Sequence, residues 1–338
     1  MAHPVRGTPP RPGGPALPDG WGPGAHPGRH GRKDLETDIR RCDMAILGQG
    51  DYKYEVVDGW AKLPEGWVFS LVSDAAIDSK GRIFAFTRGK HPVIVFDKAG
   101  NFVTSWGYGE FGISPHLVSQ SHGIFITPDD QVYLTDAFQH IVRRYTRLGD
   151  LEREWGKPGV PGVTFYNREY NMPTGVAIGL DGCFYVSDGY GNRCVHKYSK
   201  DGEHLLAWGE AGSGPGQFAV VHNIGCDKTG RLLVCDRENN RIQVFDPDGK
   251  FIAQWTDVQS PGDVWITDDN TIYVAEQGGY GRVSVWTPDG KLISRFSGSE
   301  GGVLQAPHGL CVDDEGSIYV AEIGAGDRGQ RLQKFARR

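Results

Sequence analysis

Hydrophobic and polar residues alternate along most of this chain in runs of four to six, and short turns containing Asp-Gly separate the runs. Segments such as RLLVCD and RIQVFD show the alternation of a half-buried strand, and the polar turns between them are typical of hairpins. Few segments carry a helical period. The pattern therefore predicts an all-β fold made of short antiparallel strands.

The strand pattern repeats six times. Each copy runs from a short apolar strand through a turn to a second and a third strand, and most copies then continue with xDGxxxxxW. Consecutive copies start 49, 52, 48, 40 and 46 residues apart, which is the length of a four-stranded propeller blade. We therefore predict a six-bladed β-propeller, whose blades begin near Ser73, His122, Thr174, His222, Gly262 and His308.

The two ends of the repeat region predict how the ring closes. The sixth copy stops at RLQKFARR after its third strand and lacks an outer strand. Residues 52–63, YKYEVVDGWAKL, alternate as a strand does and are available to supply it. Pairing the two ends would remove an open sheet edge. The propeller domain is accordingly assigned to residues 36–338, with its last blade completed by an N-terminal strand.

Composition limits the other classes of protein. Residues 1–35 are rich in Pro and Gly and contain no apolar h-region, so we expect a disordered tail and a cytoplasmic protein. A net charge of −6 without a basic run gives no reason to expect nucleic acid as a partner. No apolar stretch approaches the roughly 18 residues of a membrane helix, so no membrane association is expected. Self-association is left open.

The cysteines fit a reducing compartment. None has CxxC spacing, so we expect mostly buried, reduced thiols. A disulfide between Cys183 and Cys194, on neighbouring predicted strands, remains an alternative. The six cysteines are Cys42, Cys183, Cys194, Cys226, Cys235 and Cys311.

Three histidines, His122, His222 and His308, open every second copy of the repeat. First strands line the central channel of a propeller, so three imidazoles on blades two, four and six would converge about 120° apart. Three histidines with an open fourth position match a catalytic zinc site. The alternative interpretation is that each histidine only bonds backbone in the channel.

The loops that follow each second strand open on the same face and carry polar residues. Arg88 and Arg237 could bind a carboxylate bidentately, although surface ion pairs are an equal alternative. Tyr190 beside a metal could serve as a general base. Asp188 and Asp236 are candidate substrate-binding residues, and capping of their own turns is the alternative role.

Some loop residues recur from blade to blade, which favours a structural role for them. An acid at the exit of the second strand recurs as Asp136, Glu276 and Glu322. Arg241 in ENNRIQVF is interpreted as a repeat residue, because Arg193 holds a similar place in GNRCVHKY. Neither arginine is therefore counted in the predicted site.

The repeat resembles a known family. The segment GPGQFAVVHNIGCDKTGRLLVCDRENNRIQVFDPDGK is similar to NHL repeats. More narrowly, SHGI, VSDGYGN, GQFAVVHNI, DREN and APHGL resemble the catalytic core of peptidyl-alpha-hydroxyglycine alpha-amidating lyase over residues 56–335. That family cleaves the N–C bond of a peptidyl-alpha-hydroxyglycine to give a peptide amide and glyoxylate. The resemblance implies zinc on the three histidines, with Tyr190 as the catalytic tyrosine and Arg88 and Arg237 as the active-site arginines.

The chain also departs from the family pattern. Ala306 replaces a methionine before the third histidine, Gly309 replaces the aspartate that follows it, and Gly191 replaces a cysteine. In the family that aspartate helps to bind a structural calcium in the channel. Carbonyls near Ala75 and Ile124 remain available as calcium ligands, so a structural calcium is left open.

Three functions remain open from the sequence. The first is zinc-dependent carbon-nitrogen lyase activity on a small or peptide-derived carbinolamine. The second is a metal-dependent hydrolase of a small ester, lactone or amide, since the same metal would serve either reaction. The third is a non-catalytic NHL scaffold, because the repeat alone also builds interaction surfaces.

Overall fold

Antiparallel strands account for nearly all regular structure in the chain. The structure is a computed structural model, and it describes residues 46–112, 120–162, 169–298, 303–324 and 330–338. These residues contain no α-helix and a single 3₁₀ turn, Arg237–Asn239. None of them forms a helix with the length and apolar character needed to span a bilayer.

The strands form six sheets of four or five strands, with one short parallel pair between blades three and four. In chain order they are β1 (Leu47–Gln49) and β2 (Tyr52–Val57); β3 (Val72–Ile77), β4 (Ile83–Thr87), β5 (Val93–Phe96) and β6 (Phe102–Trp106) of blade one; β7 (Ser121–Ile126), β8 (Gln131–Asp136), β9 (Ile141–Thr146) and β10 (Leu151–Gly156) of blade two; β11 (Pro173–Ile178), β12 (Phe184–Asp188), β13 (Cys194–Tyr198) and β14 (His204–Trp208) of blade three; β15 (Glu210–Ala211) and β16 (Gln217–Phe218), the parallel pair; β17 (Val221–Cys226), β18 (Leu232–Asp236), β19 (Arg241–Phe245) and β20 (Phe251–Trp255) of blade four; β21 (Pro261–Ile266), β22 (Ile272–Glu276), β23 (Arg282–Trp286) and β24 (Leu292–Ser297) of blade five; and β25 (Pro307–Val312), β26 (Ile318–Ile323) and β27 (Gln330–Arg337) of blade six.

The ring closes as the sequence predicts. Strand β27 pairs antiparallel with β2, with Val56 opposite Phe335 and Tyr54 opposite Arg337. The closing strand is shorter than the predicted segment 52–63, since it ends at Val57. Strand β1 adds a fifth strand outside it, which the sequence pattern does not predict. The six-bladed propeller with a mixed last blade is thus confirmed.

The hydrophobic core consists of six clusters, each lying between two neighbouring blades. Alternating residues on both faces of each sheet are buried, so every blade contributes to the cluster before it and the cluster after it. Blade six packs on blade one through Tyr319, Trp60 and Phe96, with ring centroids 4.8 Å and 5.8 Å apart. The stability of the ring therefore depends on contacts between blades as well as within them.

The xDGxxxxxW motif links neighbouring blades. The tryptophan that ends the outer strand of one blade packs on the Asp-Gly turn of the next, as Trp208 does on Gly249. Gly249 has φ +82°, and a Cβ there would lie 2.5 Å from Cδ2 of Trp208. Glycine is thus required both for the turn and for the indole that covers it. Trp106 on Gly149 and Trp255 on Gly290 repeat the contact.

The described cysteines are all free thiols: Cys183, Cys194, Cys226, Cys235 and Cys311. The alternative of a disulfide between Cys183 and Cys194 is wrong, because Cys183 precedes β12 whereas Cys194 lies opposite Asp188 at its far end. Cys42 and the predicted tail, residues 1–35, lie outside the described residues, as does the predicted domain boundary at residue 36.

Candidate functional site in the propeller channel

The predicted ring positions occupy one structural register. Each is the second residue of the first strand of its blade, and pairing with the second strand shifts there through a bulge in every blade. A bulge re-aims a side chain and leaves part of the ladder unpaired. It is this local irregularity that places His122, His222 and His308 in the channel instead of in the sheet.

The three imidazoles converge. Their ring centroids are 4.6 to 4.7 Å apart in all three pairs, and the rings are tilted by 61° to 69°. One ligand atom from each lies within 4.8 Å of the others. All three side chains are buried, at 2 % exposure or less. Blades two, four and six therefore bring these residues together as predicted.

Backbone carbonyls of the intervening blades orient each imidazole. Nδ1 of His122 lies 2.8 Å from the carbonyl of Thr174, and the corresponding distances are 2.6 Å from His222 to Gly262 and from His308 to Ser73. A carbonyl only accepts, so each Nδ1 carries the hydrogen and donates it. The small residues of the ring thus provide the partners that fix the tautomer of the histidines.

The fixed tautomer leaves three Nε2 lone pairs facing the channel. Burial lowers the pKa of all three imidazoles well below the ordinary value, and Arg237 lowers it further, as Arg88 does for His122 and His308, so the rings are neutral at pH 7. Nε2 of His122 accepts from Tyr190 at 3.0 Å, whereas Nε2 of His222 and of His308 are buried and have no hydrogen-bond partner among the described residues. Neutral imidazoles with two unsatisfied nitrogens suit a divalent transition metal.

Tyr190 and Arg237 lie at the mouth of this site. Nη1 of Arg237 donates to the Tyr190 hydroxyl at 3.3 Å, and the guanidinium carbon is 5.4 Å from the centre of the tyrosine ring. Glu238 pairs with the other side of the guanidinium at 2.6 Å. Arg237 begins the 3₁₀ turn after β18, which directs its side chain back across blade three. The predicted tyrosine and arginine are therefore in contact.

Arg88 completes the mouth from blade one. Its Nε donates to the carbonyl of Ser121 at 3.2 Å, and it forms no ion pair within the described part of the chain. Burial lowers the pKa of this guanidinium, and the nearby Arg237 lowers it too, while Tyr190 opposes them. Two guanidinium groups thus share a partly desolvated mouth, which favours binding of an anion there.

Asp188 and Asp236 are occupied by the backbone of their own blades. Both oxygens of Asp188 accept from the amide of Asn171, at 2.9 and 3.0 Å. Asp236 accepts from the amide of Ala219 at 2.9 Å and pairs with Arg241 at 2.8 Å. Both carboxylates are fully buried. Each carboxylate therefore holds the loop that enters the first strand of its own blade. We call an acid in this position a latch acid.

Arg193 and Arg241 do not occupy equivalent positions in their blades. Arg241 lies opposite Asp236, but it is Cys194, and not Arg193, that lies opposite Asp188. Arg193 has φ +57° and matches Asn240, with φ +53°, at the left-handed position before the third strand. The interpretation of Arg193 as the counterpart of Arg241 is therefore wrong.

Sequence reasoning missed Gln277. It follows the latch acid Glu276 in blade five, just as Arg237 follows Asp236 and Arg88 follows Thr87. Its Oε1 lies 3.5 Å from Arg237, and its Nε2 is buried with no hydrogen-bond partner. The register after the second strand, rather than residue type, was the signal that could have identified it.

A second polar layer lies directly below the histidines. Asp74, Asn223 and Asp263 occupy three positions of this layer and glycines occupy the other three, and a Cβ at Gly309 would clash with Oδ1 of Asp74. Burial and Asp263 raise the pKa of Asp74, and burial raises the pKa of Asp263 to about 6. These groups form the floor of a cavity of about 440 Å³. A carboxylate from blade one therefore fills the space that a side chain on residue 309 would need.

Comparisons with known proteins place the chain in a family. A family model described as "6-bladed beta-propeller" matches residues 177–255. NHL repeat-containing protein 3 of Homo sapiens is 32% identical over 302 residues, which cover 83% of this chain and 84% of that protein. The chain belongs to the NHL-repeat propeller family.

The chain is also similar to amidating enzymes, which are more distant relatives. Peptidyl-alpha-hydroxyglycine alpha-amidating lyase 1 of Drosophila melanogaster is 32% identical over 254 residues, which cover 64% of this chain and 44% of that protein. A solved streptogramin B lyase is 14% identical and superposes with a TM-score of 0.56 over 84% of this chain and 86% of that one. The second likeness shows the fold alone.

Proposed function

We propose that this NHL-repeat propeller is a zinc-dependent carbon-nitrogen lyase whose metal is held by His122, His222 and His308. The observation that carries the proposal is the pair of buried, unpartnered Nε2 atoms on His222 and His308. Each such atom costs about 1 to 3 kcal/mol when left without a partner. Three neutral imidazoles locked by carbonyls are also the usual ligand set of catalytic zinc, with room for a fourth ligand.

Zinc at this position would supply Lewis acidity to a substrate hydroxyl group. Tyr190 is placed to accept the hydroxyl proton, since its own hydroxyl lies 3.0 Å from Nε2 of His122 and 3.3 Å from Arg237. Tyr190 would accept that proton as the phenolate, which the guanidinium of Arg237 would stabilise, and would thereby become the neutral phenol. Tyr190 then returns the proton to the nitrogen whose bond to carbon breaks, which balances the reaction to an amide and a carbonyl product.

The substrate class follows from the arginines. Arg88 and Arg237 face a mouth in which Glu238 neutralises only one of them within the described residues. A carboxylate on the carbon that bears the hydroxyl would bind there bidentately. An N-acyl-alpha-hydroxyglycine has that carboxylate, that hydroxyl and a carbon–nitrogen bond, and its cleavage yields an amide and glyoxylate. The likeness to amidating lyases supports the same substrate class.

The test combines metal content with product analysis. Purified protein should contain metal in the channel, lose one equivalent in His308→Ala, and release glyoxylate from an N-acyl-alpha-hydroxyglycine. His91→Ala is the matched control, because His91 stacks on Trp67 outside the channel. Metal without glyoxylate would favour the hydrolase, to be tested with esters and lactones. Protein that holds no channel metal and forms no product from either class of substrate would instead be the NHL scaffold.

Two further parts of the proposal concern structural calcium and location. Asp74 and Asp263, and not residue 309, are the carboxylates available to a calcium ion in the channel. Calcium-dependent stabilisation that Asp263→Asn abolishes would support this, and stability unaffected by calcium would refute it.

The expected cytoplasmic location also stays a prediction, to be checked by fractionating cells that express the full chain.

A further inference from the structure

Blade three differs from blades four, five and six in the residues at two buried positions of its third strand. In blades four, five and six the latch acid faces an arginine on the third strand, in the pairs Asp236 and Arg241, Glu276 and Arg282, and Glu322 and Arg331. In blade three the residue facing Asp188 is Cys194. Two residues further along the same strand, where blades four and six have Gln243 and Gln333, stands His196.

The substitution leaves a buried carboxylate without its arginine. Asp188, Cys194 and His196 are all 0% exposed, and no lysine or arginine of the described chain pairs with Asp188. The other three arginines each neutralise a fully buried acid in the same position. A buried carboxylate without a cationic partner is costly. Asp136 of blade two also lacks an arginine and faces Ile141, whereas Asp188 has a thiol and an imidazole beside it that are able to hold a metal ion.

The three side chains are spaced as metal ligands. Nε2 of His196 lies 3.4 Å from Sγ of Cys194 and 3.2 Å from Oδ2 of Asp188, and all three atoms lie within 4.8 Å of one another. Neighbouring ligands around a tetrahedral zinc with bonds of about 2.0 to 2.3 Å are separated by roughly 3.3 to 3.7 Å. Sulfur, imidazole nitrogen and carboxylate oxygen are the ligand atoms that zinc takes in proteins.

The surroundings hold His196 in the orientation that such a site requires. Its Nδ1 lies 3.2 Å from Nε2 of His204, so a neutral His196 can donate from Nδ1 and leave Nε2 free to bind a metal. The ring of Tyr170 packs on it with centroids 5.3 Å apart, and Tyr198 lies 6.4 Å away. These rings exclude water, which strengthens binding of a cation to the thiolate and carboxylate.

We infer that Asp188, Cys194 and His196 supply three ligands of a second zinc site, buried inside blade three. The ion supplies the positive charge that arginine supplies in blades four, five and six. Binding displaces the proton of the Cys194 thiol into solvent. The site is independent of the channel histidines, and neither site requires the other.

Cobalt substitution distinguishes the two sites in the full-length protein. Thiolate ligands give cobalt(II) an intense near-ultraviolet charge-transfer absorption, and the channel site contains no sulfur ligand. The expected result is two metal ions per chain and a thiolate band in the wild type. Cys194→Ser should remove the band and one equivalent, whereas His222→Ala should remove one equivalent and leave the band. Cys235→Ser, at a buried thiol in blade four, is the matched control and should change neither.

A second variant covers the case in which Cys194→Ser fails to fold. The double substitution Cys194→Arg with His196→Gln gives blade three the residues found in blade four at Arg241 and Gln243. This variant should bind one metal ion and show no thiolate band, and a chelator should lower its melting temperature by less than that of the wild type, because only the channel metal is left to remove. A wild type that shows no thiolate band after cobalt loading would overturn the inference.

Discussion

Removing one channel histidine should abolish the part of the stability that comes from metal binding there. In His222→Ala the channel retains two imidazoles, and the ligand that donates to the carbonyl of Gly262 is lost. Zinc at about 1,000 times its dissociation constant stabilises a protein with one site by about 4.1 kcal/mol. At about 2.1 cal/mol/K per residue, a propeller of roughly 300 residues converts this into a rise in melting temperature of about 6 to 7 °C.

The assay is differential scanning calorimetry of metal-free protein with and without added zinc. The quantity of interest is the zinc-induced shift of the wild type minus that of the variant, because any site in blade three is present in both proteins and cancels. We expect a difference of about 6 to 7 °C for His222→Ala and none for His91→Ala, which lies outside the channel. Equal shifts in wild type and His222→Ala would refute metal binding by the three histidines.

Three other outcomes are expected. Tyr190→Phe should keep the channel metal and lose at least 100-fold in the rate of glyoxylate release, measured beside metal content, since it removes only the proton acceptor; an unchanged rate would exclude that role. Arg241→Ala should lower the free energy of unfolding, measured by urea denaturation, by about 3 to 5 kcal/mol, because the buried Asp236 loses its cationic partner. Lys228→Ala, which removes an exposed ion pair, should change that free energy little. Similar losses in the two variants would contradict the role of Asp236 as a latch acid. In metal-free protein the pKa of His308 is lower in the folded state than the unfolded value of about 6.5, so the unfolded form binds more protons as the pH falls. Relative to His308→Gln, the free energy of unfolding of the wild type should therefore fall by up to about 1.4 kcal/mol per pH unit below pH 6.5. Parallel plots of that free energy against pH for the two proteins would disprove a neutral buried imidazole.

Much of the fold could be predicted from the sequence because the repeat is local. Each blade is built from short strands and Asp-Gly turns, and the spacing of the copies fixes their number. The missing outer strand of the sixth copy indicated how the ring closes, as β2 and β27 confirm. The alternation of histidines with small residues at equivalent ring positions likewise predicted that three imidazoles converge, since position in a blade determines position around the axis.

The sequence could not predict what surrounds those side chains. Ser73, Thr174 and Gly262 have small side chains, but their importance lies in the backbone carbonyls that orient the histidines. Carbonyls are common to all residues, so no residue type marks them. The register of blade three was likewise missed, because the loop between β12 and β13 is one residue longer than the loop between β18 and β19.

The sequence by itself determined the all-β propeller, its six blades, its closure and the histidine ring, because each follows from periodicity and spacing along the chain. Only the tertiary structure decided which nitrogen of each histidine faces the channel, and that Asp188 meets Cys194 and His196 where other blades have arginine. Those facts depend on contacts between strands and between blades. Such contacts are set by bulges and pairing register, where a shift of one residue turns a side chain to the opposite face of its sheet.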